Sequence, residues 1–211
     1  MILLFVHGWG FDAAFWEPLA ARLPDWKQQV WDRGYFGERD EPVPQAPCIA
    51  ITHSFGAMRL LQAPPPDCRA LVAINGFDRF AVHGAQPGVP VRVLDRMIAR
   101  LEQDPAAVVA DFRARCGSQA PFGKPDMSCL NADLVMLRDG DCSTASMAWH
   151  PPLLSLQGDD DPLLPANLRD SAFKGAPNLI RADVKEGGHL LPITQSAYCA
   201  AAIRNLAERA E

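Results

Sequence analysis

Positive charge is scarce in this sequence: 20 Lys and Arg stand against 25 Asp and Glu, a formal net charge of −5. That balance excludes nucleic acid or an anionic membrane as a partner for the surface as a whole, and leaves only a local basic patch to consider. No apolar run is long enough to span a bilayer. The opening Met1-Ile2-Leu3-Leu4-Phe5-Val6 has no basic leader and no small-residue cleavage site, so no signal peptide is expected. The six cysteines, at positions 48, 68, 116, 129, 142 and 199, form no C-x-x-C pair and have no histidine at metal-ligand spacing. Free thiols in a reducing cytoplasm are therefore expected, with no metal site. Internal repeats and low-complexity tracts are also missing.

What is present suits one domain with a sizeable core: 211 residues, 48% of them hydrophobic. Apolar segments of strand length recur at Ile2–Val6, Gln29–Trp31, Ile49–Thr52, Ala70–Ile74, Leu153–Leu156 and Leu179–Ala182. They are short and do not alternate, as expected of strands buried on both faces of a parallel sheet. Amphipathic stretches lie between them at Ala13–Leu23, Phe55–Gln62, Ala166–Phe173 and Ser196–Glu208. Strand alternating with helix predicts an open, doubly wound α/β fold. The alternation breaks once. Residues 76–150 carry three helical patterns, Val89–Gln103, Ala106–Arg115 and Ser128–Arg138, and read as a small helical cap inserted in a core of residues 1–75 and 151–211. The cluster Pro42-Val43-Pro44-Gln45-Ala46-Pro47 leaves little room for a helix between the second and third strands.

In such a sheet, sites form beyond the carboxyl ends of the strands. Ile51-Thr52-His53-Ser54-Phe55-Gly56 follows the third strand and has most of a Gly-x-Ser-x-Gly nucleophile elbow, with Thr52 where the first glycine is usual. A serine hydroxyl needs a base to take its proton and a third group to hold that base. Asp161, in Gly158-Asp159-Asp160-Asp161-Pro162-Leu163-Leu164-Pro165, and His189, in Glu186-Gly187-Gly188-His189, follow later strands in the order Ser, acid, His. Asp161 is chosen because the following Pro-Leu-Leu-Pro fixes it at the exit of the turn; Asp159 and Asp160 stay open as alternatives. After the first strand comes His7-Gly8-Trp9-Gly10. There the backbone N–H of Trp9, with that of Phe55, is placed to form an oxyanion hole, and His7 to order the loop. His53, beside the serine, reads as structural. The missing glycine at Thr52 predicts a backbone shifted or opened around that residue.

With these residues together, the chain resembles an α/β-hydrolase-fold carboxylesterase with a shortened, mostly parallel sheet of about six strands. More narrowly it is similar to the pimeloyl-[acyl-carrier protein] methyl ester esterases of biotin synthesis. The likeness lies in His7-Gly8-Trp9-Gly10-Phe11-Asp12-Ala13-Ala14-Phe15-Trp16, in Pro87–Pro90 through Cys116-Gly117, and in Leu130–Leu134 with Leu137. It continues in Leu156-x-Gly-x-x-Asp161-x-Leu163-x-Pro165. Asn75-Gly76 after the fourth strand resembles a second, compact group of esterases for the same step. The resemblance implies Ser54 as nucleophile, His189 as base and acid, Asp161 as its orienter, and Trp9 and Phe55 as oxyanion donors. It implies no metal and no organic cofactor. The substrate it implies is an acyl ester carried on acyl-carrier protein.

Arg92, Arg96 and Arg100 recur along one helical face, with Arg113 and Arg115 on the next helix, and the five are candidates for docking an acidic carrier. The triad alone leaves other readings open. These are a broader short-acyl esterase or thioesterase, a C–C bond hydrolase or hydroxynitrile lyase, and a non-catalytic hydrolase-fold binding protein.

Overall fold

Six apolar segments pair as one all-parallel sheet: β1 (Ile2–Val6), β2 (Lys27–Trp31), β3 (Cys48–His53), β4 (Cys68–Ile74), β5 (Leu153–Gly158) and β6 (Leu179–Val184). The computed structural model describes residues 1–210. Their order across the sheet is β2-β1-β3-β4-β5-β6. The direction of winding therefore reverses at β1 and β3, opening a crevice between their carboxyl ends.

Alternation along each strand feeds two separate cores. Ile2, Leu4, Val6, Ala50, Leu71 and Ala73 point to one face, and Leu3, Phe5, Ile49, Ile51, Val72 and Ile74 to the other. The second face is covered by α1 (Glu17–Ala20), α8 (Leu191–Thr194) and α9 (Ser196–Ala210), through Leu19, Leu191, Cys199 and Ile203. The first face packs against α2 (Gly56–Gln62) and α7 (Ala166–Ser171). It also meets four helices inserted between β4 and β5: α3 (Val91–Leu101), α4 (Pro105–Cys116), α5 (Met127–Asp139) and α6 (Ser143–Met147). Local chemistry sets their ends. Asp104 caps α4 by accepting from Ala107 N at 2.9 Å, and Asp126 caps α5 by accepting from Cys129 N at 2.9 Å. Gly117, at φ 96°, closes α4 in the left-handed conformation that glycine adopts freely.

Two departures from the sequence expectation have local causes. The helix expected over Ala13–Leu23 is a 3₁₀ turn, Ala13–Trp16, followed by the single turn α1, which starts at Glu17 with Pro18 in its first turn. The short helices α6 and α8 span too few residues to show a period. Between β2 and β3, as the proline cluster leads one to expect, no helix forms among the described residues; an Asp32–Asp40 bridge and the prolines carry the chain across. No helix among the described residues is long and apolar enough to cross a membrane. All six cysteines are free.

Candidate active site

The turn after β3 is strained in the way a nucleophile elbow requires. Ser54 sits at φ 52°, in the left-handed region that costs a non-glycine residue about 1–2 kcal/mol, and Phe55 then starts α2 in right-handed geometry. The strain is held by Ser54 N donating to Ile74 O at 3.0 Å and Ala57 N donating to Ser54 O at 3.1 Å. Two glycines let the neighbouring loops close on it. A Cβ on Gly56 would lie 2.4 Å from Val6 O, and one on Gly8 would lie 2.9 Å from His53 Nδ1 and 3.0 Å from Ser54 Cβ.

The opening expected around Thr52 does not occur. Strand pairing runs through it on both sides, to Val6 and to Ala73, and its hydroxyl donates to Val72 O at 3.1 Å. The side chain is accommodated within the sheet, and the need for a missing Cβ falls on Gly8 and Gly56 instead.

Of the three consecutive aspartates, only Asp161 meets a histidine. Its Oδ2 accepts from His189 Nδ1 at 2.7 Å, with both side chains fully buried, while Asp159 and Asp160 are exposed. The other carboxylate oxygen, Oδ1, accepts from Leu163 N at 2.8 Å and Leu164 N at 3.2 Å. Both oxygens are thus committed as acceptors, which fixes the proton on His189 Nδ1 and leaves Nε2 with a lone pair. That Nε2 is buried and has no hydrogen-bond partner among the described residues. The Ser54 hydroxyl makes no hydrogen bond to it among the described residues.

Two residues to which sequence reasoning gave no role at the site hold the His189 loop. Asn75 is fully buried at the end of β4, at φ 46°. Its Nδ2 donates to the carbonyls of Gly188 and His189, both at 2.9 Å, and its Oδ1 accepts from Gly158 N at 2.7 Å. His53 bonds the same His189 carbonyl through Nε2 at 2.9 Å, and its ring meets the His189 ring edge-on, 4.7 Å between centroids. Burial, then the neighbouring His189, holds His53 well below the ordinary histidine range, so it is neutral. The only signal for Asn75 was its place before glycine at a strand end.

On the other side of the crevice lies the loop after β1. His7 stabilises it, its Nδ1 bonded to Gly8 O at 2.9 Å and its Nε2 accepting from Arg33 N at 3.0 Å. Trp9 is buried; its indole donates to Leu130 O at 2.9 Å and packs edge-on against Phe112. Among the described residues neither the Trp9 nor the Phe55 backbone N–H is spent on another acceptor.

Ser54 and Asp161 both line a cavity of about 400 Å³. Its walls are chiefly apolar, with Phe77, Val89, Leu94, Met97, Val108 and Phe112 supplied by the segment between β4 and β5. Arg100 and Arg115 also line it; Arg100 pairs with Asp111 at 2.7 Å, and Arg115 makes no ion pair among the described residues. Arg92 and Arg96 are exposed on α3.

Arg113 is a correction. It is only 3% exposed, and its guanidinium donates to Gly10 O, Asp12 and Pro121 O, so it cannot reach a docking partner. The sequence groups it with Arg115 only as a second charge on the same helix, and the loop carbonyls that draw it inward have no signature in the sequence.

No protein-family model matches the chain. Solved structures match it over nearly its whole length. A bromoperoxidase from Bacillus anthracis superposes with a TM-score of 0.84 at 14% identity, covering 98% of this chain and 91% of that one. An esterase from Exiguobacterium antarcticum gives 0.81 at 14% identity, covering 97% and 91%. The chain has the α/β-hydrolase fold. In sequence, the chain resembles proteins named pimeloyl-[acyl-carrier protein] methyl ester esterase. The one from Proteus mirabilis (strain HI4320) is 26% identical over 84% of this chain and 82% of its own length. The one from Aliivibrio salmonicida (strain LFI1238) is 22% identical over 92% and 87%.

Proposed function

We propose that this α/β-hydrolase is a serine carboxylesterase that removes the methyl ester from a pimeloyl group carried on acyl-carrier protein. The observation that carries the esterase reading is the commitment of both Asp161 oxygens. One holds His189 Nδ1 and the other two backbone amides, which leaves His189 Nε2 free to act as the base toward a serine strained at φ 52°. In this reading His189 Nε2 takes the proton of Ser54 as Oγ attacks the ester carbonyl. The N–H groups of Trp9 and Phe55 receive the oxyanion, an interaction worth about 3–4 kcal/mol for a single donor. His189 then gives its proton to the departing methoxide, which leaves as methanol. Water, deprotonated by the same nitrogen, releases the free acid and restores Ser54.

Residues 76–150 act as the cap, and their apolar side chains line the acyl channel. The arginines at and around the mouth, Arg92, Arg96, Arg100 and Arg115, meet the acidic carrier. The choice of substrate is supported by the names of the sequence relatives. It is tested by introducing the gene into a biotin auxotroph that lacks its methyl esterase. Growth with the wild type and none with Ser54→Ala is expected. Soluble protein that hydrolyses short free esters without restoring growth would replace this substrate with a broader set of short-acyl esters.

A further inference from the structure

Arginine is costly to bury unless every donor is used, because removing its charge from water is repaid only by close partners. Arg113 is nonetheless buried, inside a cage of three aromatic rings. Its Cζ lies 5.1 Å from the centroid of Phe11, 4.9 Å from Phe36 and 5.1 Å from Phe122, which come from three different connections. A leucine or methionine would fill such a cage without the desolvation cost. What an apolar side chain cannot do is what the fork does here. Nε donates to Gly10 O at 2.7 Å and Nη2 to Asp12 Oδ2 at 3.0 Å, both in the loop that carries Trp9, while Nη1 reaches Pro121 O at 3.4 Å.

The loop has reason to need holding. Gly10 is left-handed at φ 71°, a conformation with little intrinsic preference to keep it in place. Phe112, the residue before Arg113, closes the other side. Its ring stands edge-on to Trp9 at 4.8 Å, and its Cδ1 lies 3.2 Å from where a Gly10 Cβ would be. Two adjacent residues of α4 therefore grip the Trp9-Gly10 turn, one on the indole and one on the carbonyl.

We propose that Arg113 is a positioning residue for the oxyanion hole, fixing the Trp9 amide through Gly10 and thereby tying helix α4 to the chemistry at Ser54. The proposal rests on the serine esterase reading above. It also gives α4 a second task, since the same helix presents Arg115 at the cavity wall.

The test compares wild type, Arg113→Met and Arg113→Lys as full-length protein, using a short p-nitrophenyl ester, a trifluoromethyl ketone and thermal unfolding. The ketone forms a tetrahedral adduct on serine, so its affinity reads the oxyanion hole directly. For Arg113→Met, kcat is expected to fall about 10–100-fold with KM within about twofold, and ketone affinity to fall in the same proportion. Arg113→Lys keeps a donor and the charge but loses the fork, and is expected to recover part of both. If Arg113→Met does not fold, Arg113→Lys decides: a fall in kcat matched by a fall in ketone affinity supports the proposal. Wild-type kcat and ketone affinity in whichever variant folds would overturn it, as would a lowered kcat with unchanged ketone affinity. The underlying reading fails separately, and visibly, if Ser54→Ala retains full esterase activity.

Discussion

The ring of His53 and the main chain of His189 are joined by a hydrogen bond of 2.9 Å, although the two residues lie 136 positions apart in the sequence. His53 is fully buried among Phe11, Phe15 and His189, and stays neutral. Its pKa is lowered, so the unfolded chain binds a proton that the folded chain refuses. This group leaves stability unaffected above the unfolded value of 6.5 and lowers it as pH falls below that. His53→Gln, which keeps a donor for the His189 carbonyl, is expected to flatten the acid limb by about 1.4 kcal/mol per pH unit below 6.5. Urea unfolding of the two proteins between pH 4.5 and 8 measures it; parallel curves would show that His53 protonates in the fold.

Asp161 holds His189 in one tautomer, and an amide in its place can present a donor to Nδ1 and reverse that choice. Asp161→Asn is expected to lower kcat about 10³–10⁴-fold. Asp159→Asn and Asp160→Asn, on exposed side chains, are expected to stay within about twofold of wild type. Steady-state hydrolysis of a small ester by the three variants separates the aspartates.

Ser54 stores strain that glycine does not. Ser54→Gly is expected to abolish hydrolysis and yet raise stability by about 0.5–1 kcal/mol, the left-handed penalty less the added entropy of glycine in the unfolded chain. Denaturant midpoints give the answer. A less stable Ser54→Gly would place the strain elsewhere in the turn.

Arg92 and Arg96 are exposed on α3 and lie outside the cavity lining, which makes them the clean probe of carrier docking. The double reversal Arg92→Glu/Arg96→Glu is expected to cut kcat/KM for a carrier-bound ester about tenfold or more at low salt, with much of the difference lost at high salt. Turnover of a small free ester is expected to be unchanged. Equal turnover of the carrier-bound ester by both proteins would remove these two residues from docking.

The sheet and the order of the site residues were legible because both depend on patterns within short segments. The strand expected at Ile2–Val6 has those bounds, and each of the other five expected strands lies inside an observed one. Ser54, Asp161 and His189 follow β3, β5 and β6, so their convergence needs only a parallel sheet. What stayed hidden depends on partners far along the chain. Arg113 reads as a surface charge until Gly10, Asp12 and the rings of Phe11, Phe36 and Phe122 surround it. Asn75 carries only a family resemblance in the sequence, and its role appears once Gly158 and His189 arrive on either side of its amide. Thr52 shows the opposite error. Its side chain was read against a motif, whereas the space it occupies belongs to the neighbouring strand.

The order β2-β1-β3-β4-β5-β6 places Trp9 and Ser54 on adjoining strand ends and leaves Asp161 and His189 to the strands that close the far side of the sheet. The crevice is thus assembled from the first, third, fifth and sixth strands, and no contiguous piece of chain holds all its parts. A nascent chain still lacking its last third has the serine and the Trp9 loop but neither Asp161 nor His189. On the proposed reading, hydrolytic competence arrives only with the last strand and the loop beyond it, so an unfinished copy is inert toward esters.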